Sequence, residues 1–281
     1  MIQHFSAPDG RRLAYRVEGA GPAVLCLAGL TRNMRDFEPL VGHLAGRHRV
    51  IRLDSRGRGA SDYAERPLEE YSVPVEAQDA EALIDHLALD RVAIIGTSRG
   101  GILGIAMAAA RREQVACLIL NDVGAVIEGR GLLRILSYLG RPPKGDSFEA
   151  AAEALAEVHA RDFPGVPLER WVVHARALYR DDAGRPALEY DHHLRAATAA
   201  AIDTELPTVT LWPLFEALQT TPVLVIRGAN SDILSRDTVA EMAHRHPGLK
   251  QIEIADRGHA PFLDEPEAVV AIRDFLREHC R

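Results

Sequence analysis

The sequence of 281 residues predicts an α/β fold, in which a mostly parallel sheet of eight strands carries helices on both faces and a helical segment is inserted. Two observations support this prediction. Up to residue 122, short apolar runs alternate with stretches of helical spacing, and the alternation resumes at residue 211. Between residues 123 and 210 we find helical patterns and no convincing buried strand. We therefore expect a core domain of residues 1–122 and 211–281 and a helical cap of residues 123–210.

The predicted strands begin with a hairpin, because residues 2–6 and 11–18 flank the turn sequence Pro8-Asp9-Gly10. Six apolar runs predict buried strands at residues 22–28, 49–53, 91–95, 115–120, 222–226 and 250–255. Helices of the core are predicted at residues 36–44, 73–87, 102–110, 212–218, 238–244 and 266–278. Helices of the cap are predicted at residues 132–139, 148–158 and 168–178, in a segment punctuated by prolines that include Pro207. The helix at 73–87 is expected to present an acidic outer face of Glu76, Asp79, Glu81 and Asp85.

Composition and charge restrict the function classes. A net charge of −7 argues against nucleic acid or an anionic membrane as a partner. The three cysteines show neither a pairing pattern nor metal-ligand spacing, which favours reduced thiols in a cytoplasmic protein. The N-terminus lacks a basic segment followed by an apolar one, and no apolar run is long enough to span a bilayer. We expect neither a signal peptide nor a membrane span.

The most informative stretch is Gly96-Thr97-Ser98-Arg99-Gly100, which follows the apolar residues 92–95 and precedes the apolar, small residues 102–110. In this strand-turn-helix context, G-x-S-x-G predicts a nucleophile elbow that presents the serine hydroxyl at the carboxyl edge of the sheet. Gly96 and Gly100 would let the strand and the helix approach closely. We therefore predict Ser98 as a nucleophile.

A serine hydroxyl needs a base to accept its proton and a third group to orient that base. His259 follows the last predicted strand, and Asp232 follows the preceding one, which gives the chain order serine, acid, histidine. We predict His259 as the base and Asp232 as the acid, although Asp232 also suits a helix N-cap. Asp122 is the reserve candidate for the acid, and Asp256 is a weaker one.

The developing oxyanion needs two N–H donors. We predict the backbone N–H of Arg99, directly after the serine, and that of Leu30, where Gly29 lets the backbone turn toward Ser98.

These motifs together resemble the α/β-hydrolase superfamily, specifically its single-domain members with a helical cap. The residues that carry the resemblance are Ala28-Gly29, Asp54-x-Arg56-Gly57-x-Gly59-x-Ser61, the elbow, Gly228-x-x-Ser231-Asp232 and Gly258-His259. The resemblance implies a structural role for the loop from Asp54 to Ser61. A serine nucleophile separates the chain from haloalkane dehalogenases and epoxide hydrolases of this fold. Ala28-Gly29 replaces the His-Gly of many members, which removes a side-chain contact but no backbone donor.

Several residues are open to two interpretations. Arg99 stands where the superfamily often has an apolar residue, methionine or glutamine, and either binds an anionic substrate group or forms a buried ion pair with Asp36 or Asp122; we favour the pair. Trp171, Tyr179 and Trp212 are candidates to line a pocket under the cap, although helical aromatics are more often core. His192-His193 has no third ligand at suitable spacing, so we predict no metal.

The sequence therefore predicts a serine hydrolase that cleaves a small carboxylic ester, thioester, lactone or activated C–C bond through an acyl-enzyme on Ser98, without a cofactor. Its partner would be a small-molecule substrate, and the protein would be a monomer or a homodimer. One alternative is an acyltransferase or perhydrolase that uses the same residues. Another is a ligand-binding receptor with weak or no catalysis, because one fold hosts many functions.

Overall fold

A computed structural model describes residues 1–202 and 208–281 of the chain. Its main sheet has eight strands in the order β1-β2-β4-β3-β5-β6-β11-β12. The first two strands pair antiparallel, β2 also runs antiparallel to β4, and the remaining pairs are parallel. The eight-stranded, mostly parallel sheet predicted from the sequence is confirmed. The strands are β1 Gln3–Ser6, β2 Arg12–Glu18, β3 Ala23–Leu27, β4 Arg49–Leu53, β5 Val92–Thr97, β6 Val115–Asn121, β7 Val126–Ile127, β8 Tyr179–Asp182, β9 Arg185–Leu188, β10 Val209–Thr210, β11 Val223–Gly228 and β12 Lys250–Ile254.

The central strands are buried along their whole length because both faces of the sheet carry an apolar core. Along β5, Val92 and Ile94 belong to one core cluster, whereas Ala93 and Ile95 belong to the cluster on the other face. This alternation follows from the two-residue period of a strand. It explains why continuous apolar runs, rather than alternating ones, marked these strands in the sequence.

Helices cover the two faces and form much of the insertion. They are α1 Glu38–Leu44, α2 Pro67–Glu70, α3 Val73–His86, α4 Arg99–Ala110, α5 Gly129–Tyr138, α6 Phe148–His159, α7 Leu168–Leu178, α8 Leu194–Ala201, α9 Trp212–Glu216, α10 Arg236–Arg245 and α11 Pro266–His279. A 3₁₀ turn at Met34–Phe37 precedes α1. None of the described helices is both long enough and apolar enough to cross a membrane. All three cysteines are buried free thiols.

The segment predicted as a helical cap contains α5 to α8 and also short strands that the sequence pattern did not predict. Strands β8 and β9 form an antiparallel hairpin, and its turn places Ala183 and Gly184 at positive φ. Residues of β8 are mostly exposed and charged, so no apolar pattern marks them. Strand β7 pairs with β10 and brings the two ends of the segment together. Pro207, which the sequence analysis used as a helix break, lies outside the described residues. The division between core and cap stays a prediction.

Candidate functional site

Ser98 occupies a sharp turn between β5 and α4, with φ 51° and ψ −117°. Two glycines make the turn feasible. A Cβ on Gly100 would lie 2.0 Å from the carbonyl oxygen of Leu27, and one on Gly96 would lie 2.4 Å from the carbonyl oxygen of Gly100. Both distances are far shorter than a van der Waals contact, so only glycine fits at either position. This is the strand-turn-helix geometry that the G-x-S-x-G motif predicts.

His259 joins Ser98 to an aspartate through both ring nitrogens. Its Nε2 lies 2.8 Å from Ser98 Oγ, and its Nδ1 lies 2.7 Å from Oδ2 of Asp122. The Asp122 side chain is fully buried, and that of His259 is 10% exposed. Ser98, His259 and Asp122 therefore form a continuous hydrogen-bonded chain at the carboxyl edge of the sheet.

The acid in this chain is Asp122, not Asp232, and this corrects the sequence prediction. Asp232 instead forms a bidentate ion pair with Arg134 of α5, with Nε–Oδ2 and Nη2–Oδ1 distances of 2.9 Å each. Arg134 also pairs with Asp162 of the loop between α6 and α7. Asp232 thus links the β11 loop to the inserted segment and is unavailable to His259.

The loop after β11 supports Asp122 rather than replacing it. The Ser231 hydroxyl donates a hydrogen bond of 2.6 Å to Asp122 Oδ2, and the Gly228 N–H donates one of 2.8 Å to Oδ1. Asp122 follows β6, which lies between β5 and β11 in the sheet. Both aspartates follow strands, and the conformations of the two loops distinguish them: Asp122 lies against His259, whereas Asp232 pairs with Arg134.

Arg99 forms the buried ion pair favoured by the sequence analysis, but with Glu76 rather than with Asp36 or Asp122. Its Nε lies 2.9 Å from Glu76 Oε2, and Glu76 Oε1 accepts a hydrogen bond of 2.7 Å from Arg58 Nη1. Burial opposes ionisation of Glu76, yet the two guanidinium groups hold its pKa below the usual value. The carboxylate is therefore charged and shared between two arginines.

The expectation that α3 presents an acidic outer face is wrong for two of its four residues. Glu76 and Asp79 are each 1% exposed and pair with arginines of the loop after β4. Asp79 binds Arg56 through two hydrogen bonds of 2.7 Å. The arginines at positions 56 and 58 could have indicated that these two acidic residues are buried. A buried arginine needs a carboxylate partner, and both arginines stand in the loop that faces this helix.

The predicted N–H donors follow the ends of β3 and β5. Leu30 lies in the loop after β3, and Arg99 begins α4. If Gly29 carried a Cβ, that atom would lie 3.8 Å from Ser98 Cβ, so this loop passes close to the serine. The carbonyl oxygen of Leu30 accepts a hydrogen bond of 2.8 Å from Arg58 Nε, which fixes the orientation of that part of the loop. Their role as donors to an oxyanion stays a prediction.

The three aromatic residues predicted to line a pocket are packing residues in this structure. Trp171 is 2% exposed and lies among His159, Phe163 and Phe262. Tyr179 packs against the same cluster, and burial raises its pKa to about 12. Trp212 packs on Phe215, with the Arg245 guanidinium 4.0 Å from its ring centre. Trp171 is therefore a core residue, whereas Tyr179 and Trp212 are both partly buried, and a contact of the three with substrate stays a prediction.

A cavity of about 420 Å³ lies between α7, the 3₁₀ turn and the loop that follows His259. Three of its lining residues, Thr97, Asn121 and Ala260, are the chain neighbours of Ser98, Asp122 and His259. The other lining residues are Arg32, Arg35, Asp36, Phe37, Glu38, Pro39, Arg170, Val173, His174, Arg176, Ala177, Pro261, Phe262 and Leu263. The cavity therefore adjoins the hydrogen-bonded chain.

Asp191, His192 and His193 lie near enough to one another to share an ion. The Asp191 carboxylate is already engaged by the Tyr71 hydroxyl at 2.6 Å and by His193 Nδ1 at 2.9 Å. Two exposed, sequence-adjacent imidazoles beside an engaged carboxylate are a weak basis for a metal site. The absence of a metal stays a prediction.

Comparison with known proteins adds independent information. A family model described as "alpha/beta hydrolase fold" matches residues 22–266. The chain is 36% identical to the 3-hydroxybutyrate-oligomer hydrolase of Cupriavidus necator, with 98% of this chain and 96% of the relative covered. It is 27% identical to the 2-(acetamidomethylene)succinate hydrolase of Mesorhizobium japonicum, over 94% of this chain and 91% of that one.

Comparison with solved structures also finds an α/β hydrolase. An α/β hydrolase from Novosphingobium aromaticivorans superimposes with a TM-score of 0.91 and 41% identity, covering 99% of this chain and 98% of that one.

Proposed function

The chain belongs to the α/β-hydrolase family and is a hydrolase of that fold, and on this basis we propose that it cleaves a small carboxylic ester through an acyl-enzyme on Ser98. The observation that carries the proposal is the hydrogen-bonded chain of Ser98, His259 and Asp122. This is the arrangement that serine hydrolysis requires: a nucleophile, a base within hydrogen-bond reach, and a buried carboxylate behind the base.

In the proposed first step, Ser98 Oγ attacks the ester carbonyl while His259 Nε2 accepts the hydroxyl proton. Asp122 accepts the hydrogen bond from Nδ1–H, which holds the imidazole in the correct tautomer and stabilises the imidazolium. His259 then returns the proton to the departing alcohol oxygen. Water attacks the acyl-enzyme by the same route in reverse, releasing the acid and restoring the Ser98 hydroxyl.

We assign stabilisation of the oxyanion to the backbone N–H groups of Leu30 and Arg99. Arg99 begins α4, where unpaired N–H groups and the helix dipole favour negative charge. The glycine at position 29 lets the loop that contains Leu30 run close to Ser98. Two fixed donors at this place would stabilise the tetrahedral intermediate rather than the substrate.

The substrate class follows from the relative that acts on 3-hydroxybutyrate oligomers, which are linear esters of a hydroxycarboxylic acid. We propose an ester of this kind, short enough to fit beneath the inserted segment. We propose the ester over the predicted thioester, lactone and C–C substrates because the relative named here acts on an ester.

The test is hydrolysis of the 3-hydroxybutyrate dimer and of p-nitrophenyl butyrate by the purified protein, with products identified by chromatography. We expect release of the free acid by the wild type and a loss of at least about a thousandfold in Ser98→Ala. Repeating the reaction with alcohol or peroxide distinguishes acyl transfer, since a transferase would yield mainly the new ester or the peracid. A folded wild type that turns over neither ester would contradict the proposal and favour a binding function.

A further inference from the structure

We propose that the cavity of about 420 Å³ beside Ser98 is a subsite for a hydroxycarboxylic acid, in which Arg32 binds the free carboxylate of the ligand. This inference rests on the proposed function, because it names the end of the ester substrate that carries the charge. The volume lies within the range of small-molecule sites and suits a ligand of a few carbon atoms.

Part of the Arg32 guanidinium group is free to donate further hydrogen bonds. Its Nη1 donates to Asp36 Oδ1 at 2.8 Å and approaches His174 Nδ1 at 3.4 Å. Its Nε and Nη2 donate to none of the residues 1–202 or 208–281. A guanidinium group offers five N–H donors in a planar fork that matches a carboxylate. One edge of Arg32 is therefore available to a ligand in the cavity, and its side chain is 25% exposed.

The stem of Arg32 and the side chain of Ser98 both lie beside Gly29. The point at which a Cβ on Gly29 would stand is 3.3 Å from Arg32 Cγ and 3.8 Å from Ser98 Cβ. The arginine stem and the serine thus flank the same loop residue. An ester carbonyl held at Ser98 would place a carboxylate a few bonds away within reach of the guanidinium, as in the repeat of a hydroxy-acid ester.

Four arginines line the cavity, although the whole protein has a net charge of −7. Each already has a carboxylate partner: Arg32 pairs with Asp36, Arg35 with Glu189, Arg170 with Asp264 and Arg176 with Glu149. An anion in the cavity would therefore bind through the N–H groups of Arg32 that Asp36 leaves free. His174 does not compete as a cation, because burial and the nearby Arg32 and Arg170 hold its pKa well below the usual value. Its neutral ring can accept a hydrogen bond from Arg32. A carboxylate in the cavity would gain a charge-assisted pair that is partly shielded from water.

A second polar group in the cavity points to a hydroxyl on the ligand. Asn121 is 1% exposed and lines the cavity, yet its Oδ1 has no hydrogen-bond partner among the described residues. Its Nδ2 donates to the carbonyl oxygen of Pro261 at 3.0 Å, which fixes the orientation of the amide. A buried acceptor without a donor is costly. The hydroxyl that cleavage frees on the carboxylate-bearing unit would satisfy it.

Apolar side chains complete the description of the ligand. Phe37, Val173 and Phe262 contribute to the walls and suit a short alkyl chain. A carboxylate for Arg32, a hydroxyl for Asn121 and a small apolar body for these walls together describe the short hydroxycarboxylic acid that ester cleavage releases.

The kinetic test compares Arg32→Gln with the wild type on the 3-hydroxybutyrate dimer and on its methyl ester, which lacks the free carboxylate. We expect Arg32→Gln to raise KM for the free acid by about 10- to 100-fold, since a charge-assisted pair contributes roughly 1.5–3 kcal/mol. Turnover of the methyl ester should change less than about threefold. The control is Arg111→Gln, which removes an arginine of 30% exposure at the far end of α4. Equal losses on both substrates would overturn the proposal.

A binding experiment separates this proposal from the proposed function. Calorimetry with Ser98→Ala, which cannot turn over, should detect 3-hydroxybutyrate, with weaker binding of butyrate and of methyl 3-hydroxybutyrate. The binding should be lost in the Ser98→Ala, Arg32→Gln double variant. Arg32-dependent binding in a protein that hydrolyses no ester would leave the subsite standing and overturn the hydrolysis. Ester hydrolysis together with Arg32-independent binding would leave the hydrolysis standing and overturn the subsite.

Discussion

Arg58 donates a hydrogen bond of 2.8 Å from Nε to the carbonyl oxygen of Leu30, and the same side chain is held by Glu76. Glu76 also binds the side chain of Arg99. One fully buried carboxylate therefore connects to both residues whose N–H groups we assign to the oxyanion. Arg56, in the same loop, binds Asp79 and donates no hydrogen bond to Leu30 within the described chain.

This relationship predicts that Glu76→Gln lowers kcat for ester hydrolysis by about tenfold with a smaller change in KM, because misplaced oxyanion donors weaken only the transition state. Asp79→Asn is the matched control, since Asp79 is equally buried on the same helix and pairs with an arginine of the same loop. Both variants remove a charge from a buried pair and should lose stability, and Asp79→Asn should lose less because Arg56 also pairs with Asp9 and Glu70. Steady-state kinetics well below each melting temperature checks the difference. A similar fall in kcat for both would indicate a structural role only.

Asp122 and Asp232 give a second prediction. Asp122→Asn should lower kcat by about ten-thousandfold, because an asparagine cannot fix the histidine tautomer that accepts the serine proton. Asp232→Asn removes the carboxylate that pairs with Arg134, and its kcat should stay within about tenfold of the wild-type value. The measurement is kcat for p-nitrophenyl butyrate in both variants. A larger loss in Asp232→Asn would show that the aspartate after β11 orients His259 during turnover.

The elbow predicts a strong asymmetry between two glycines. Gly100→Ala would place a methyl group 2.0 Å from the Leu27 carbonyl oxygen, so we expect a loss of about 2 kcal/mol or more in the free energy of unfolding. Gly42→Ala should instead be neutral or stabilising by up to about 1 kcal/mol, since Gly42 lies in α1 and no atom beyond its chain neighbours and the nearby backbone of that helix lies within 4 Å of an added Cβ. Urea unfolding measures both. Similar stabilities would contradict the close contact described at the elbow.

Stability should fall in mild acid because of a buried histidine. Burial and the nearby Arg32 and Arg134 lower the pKa of His159 from 6.5 to about 4. The unfolded chain therefore binds more protons than the folded one below pH 6.5, and stability is lost as the pH falls from 6.5 toward 4. His159→Phe preserves a ring against Trp171 and should reduce the loss between pH 7 and pH 5 by about 1 kcal/mol. Urea midpoints at the two pH values check this, with the exposed His4→Phe as control.

The core could be predicted from the sequence because buried parallel strands leave continuous apolar runs and the helices between them leave a 3.6-residue period. The exposed hairpin β8–β9 leaves neither signal. The turn at Ser98 and the loop position of His259 were also readable from local sequence. The choice between Asp122 and Asp232 was not, because it depends on how the loops after β6 and β11 fold and on the pairing of Asp232 with Arg134. The buried arginine pairs of Glu76 and Asp79 were missed because a helix period alone does not show which polar face is covered.

The central claim is that Ser98 is an activated nucleophile, and covalent labelling tests it most directly. The purified protein is incubated with a fluorophosphonate probe, and the modified peptide is identified by mass spectrometry. We expect a single adduct on Ser98, absent in Ser98→Ala and formed at least about a hundredfold more slowly in His259→Ala. An adduct on another residue, or no adduct on the folded wild type, would contradict the account.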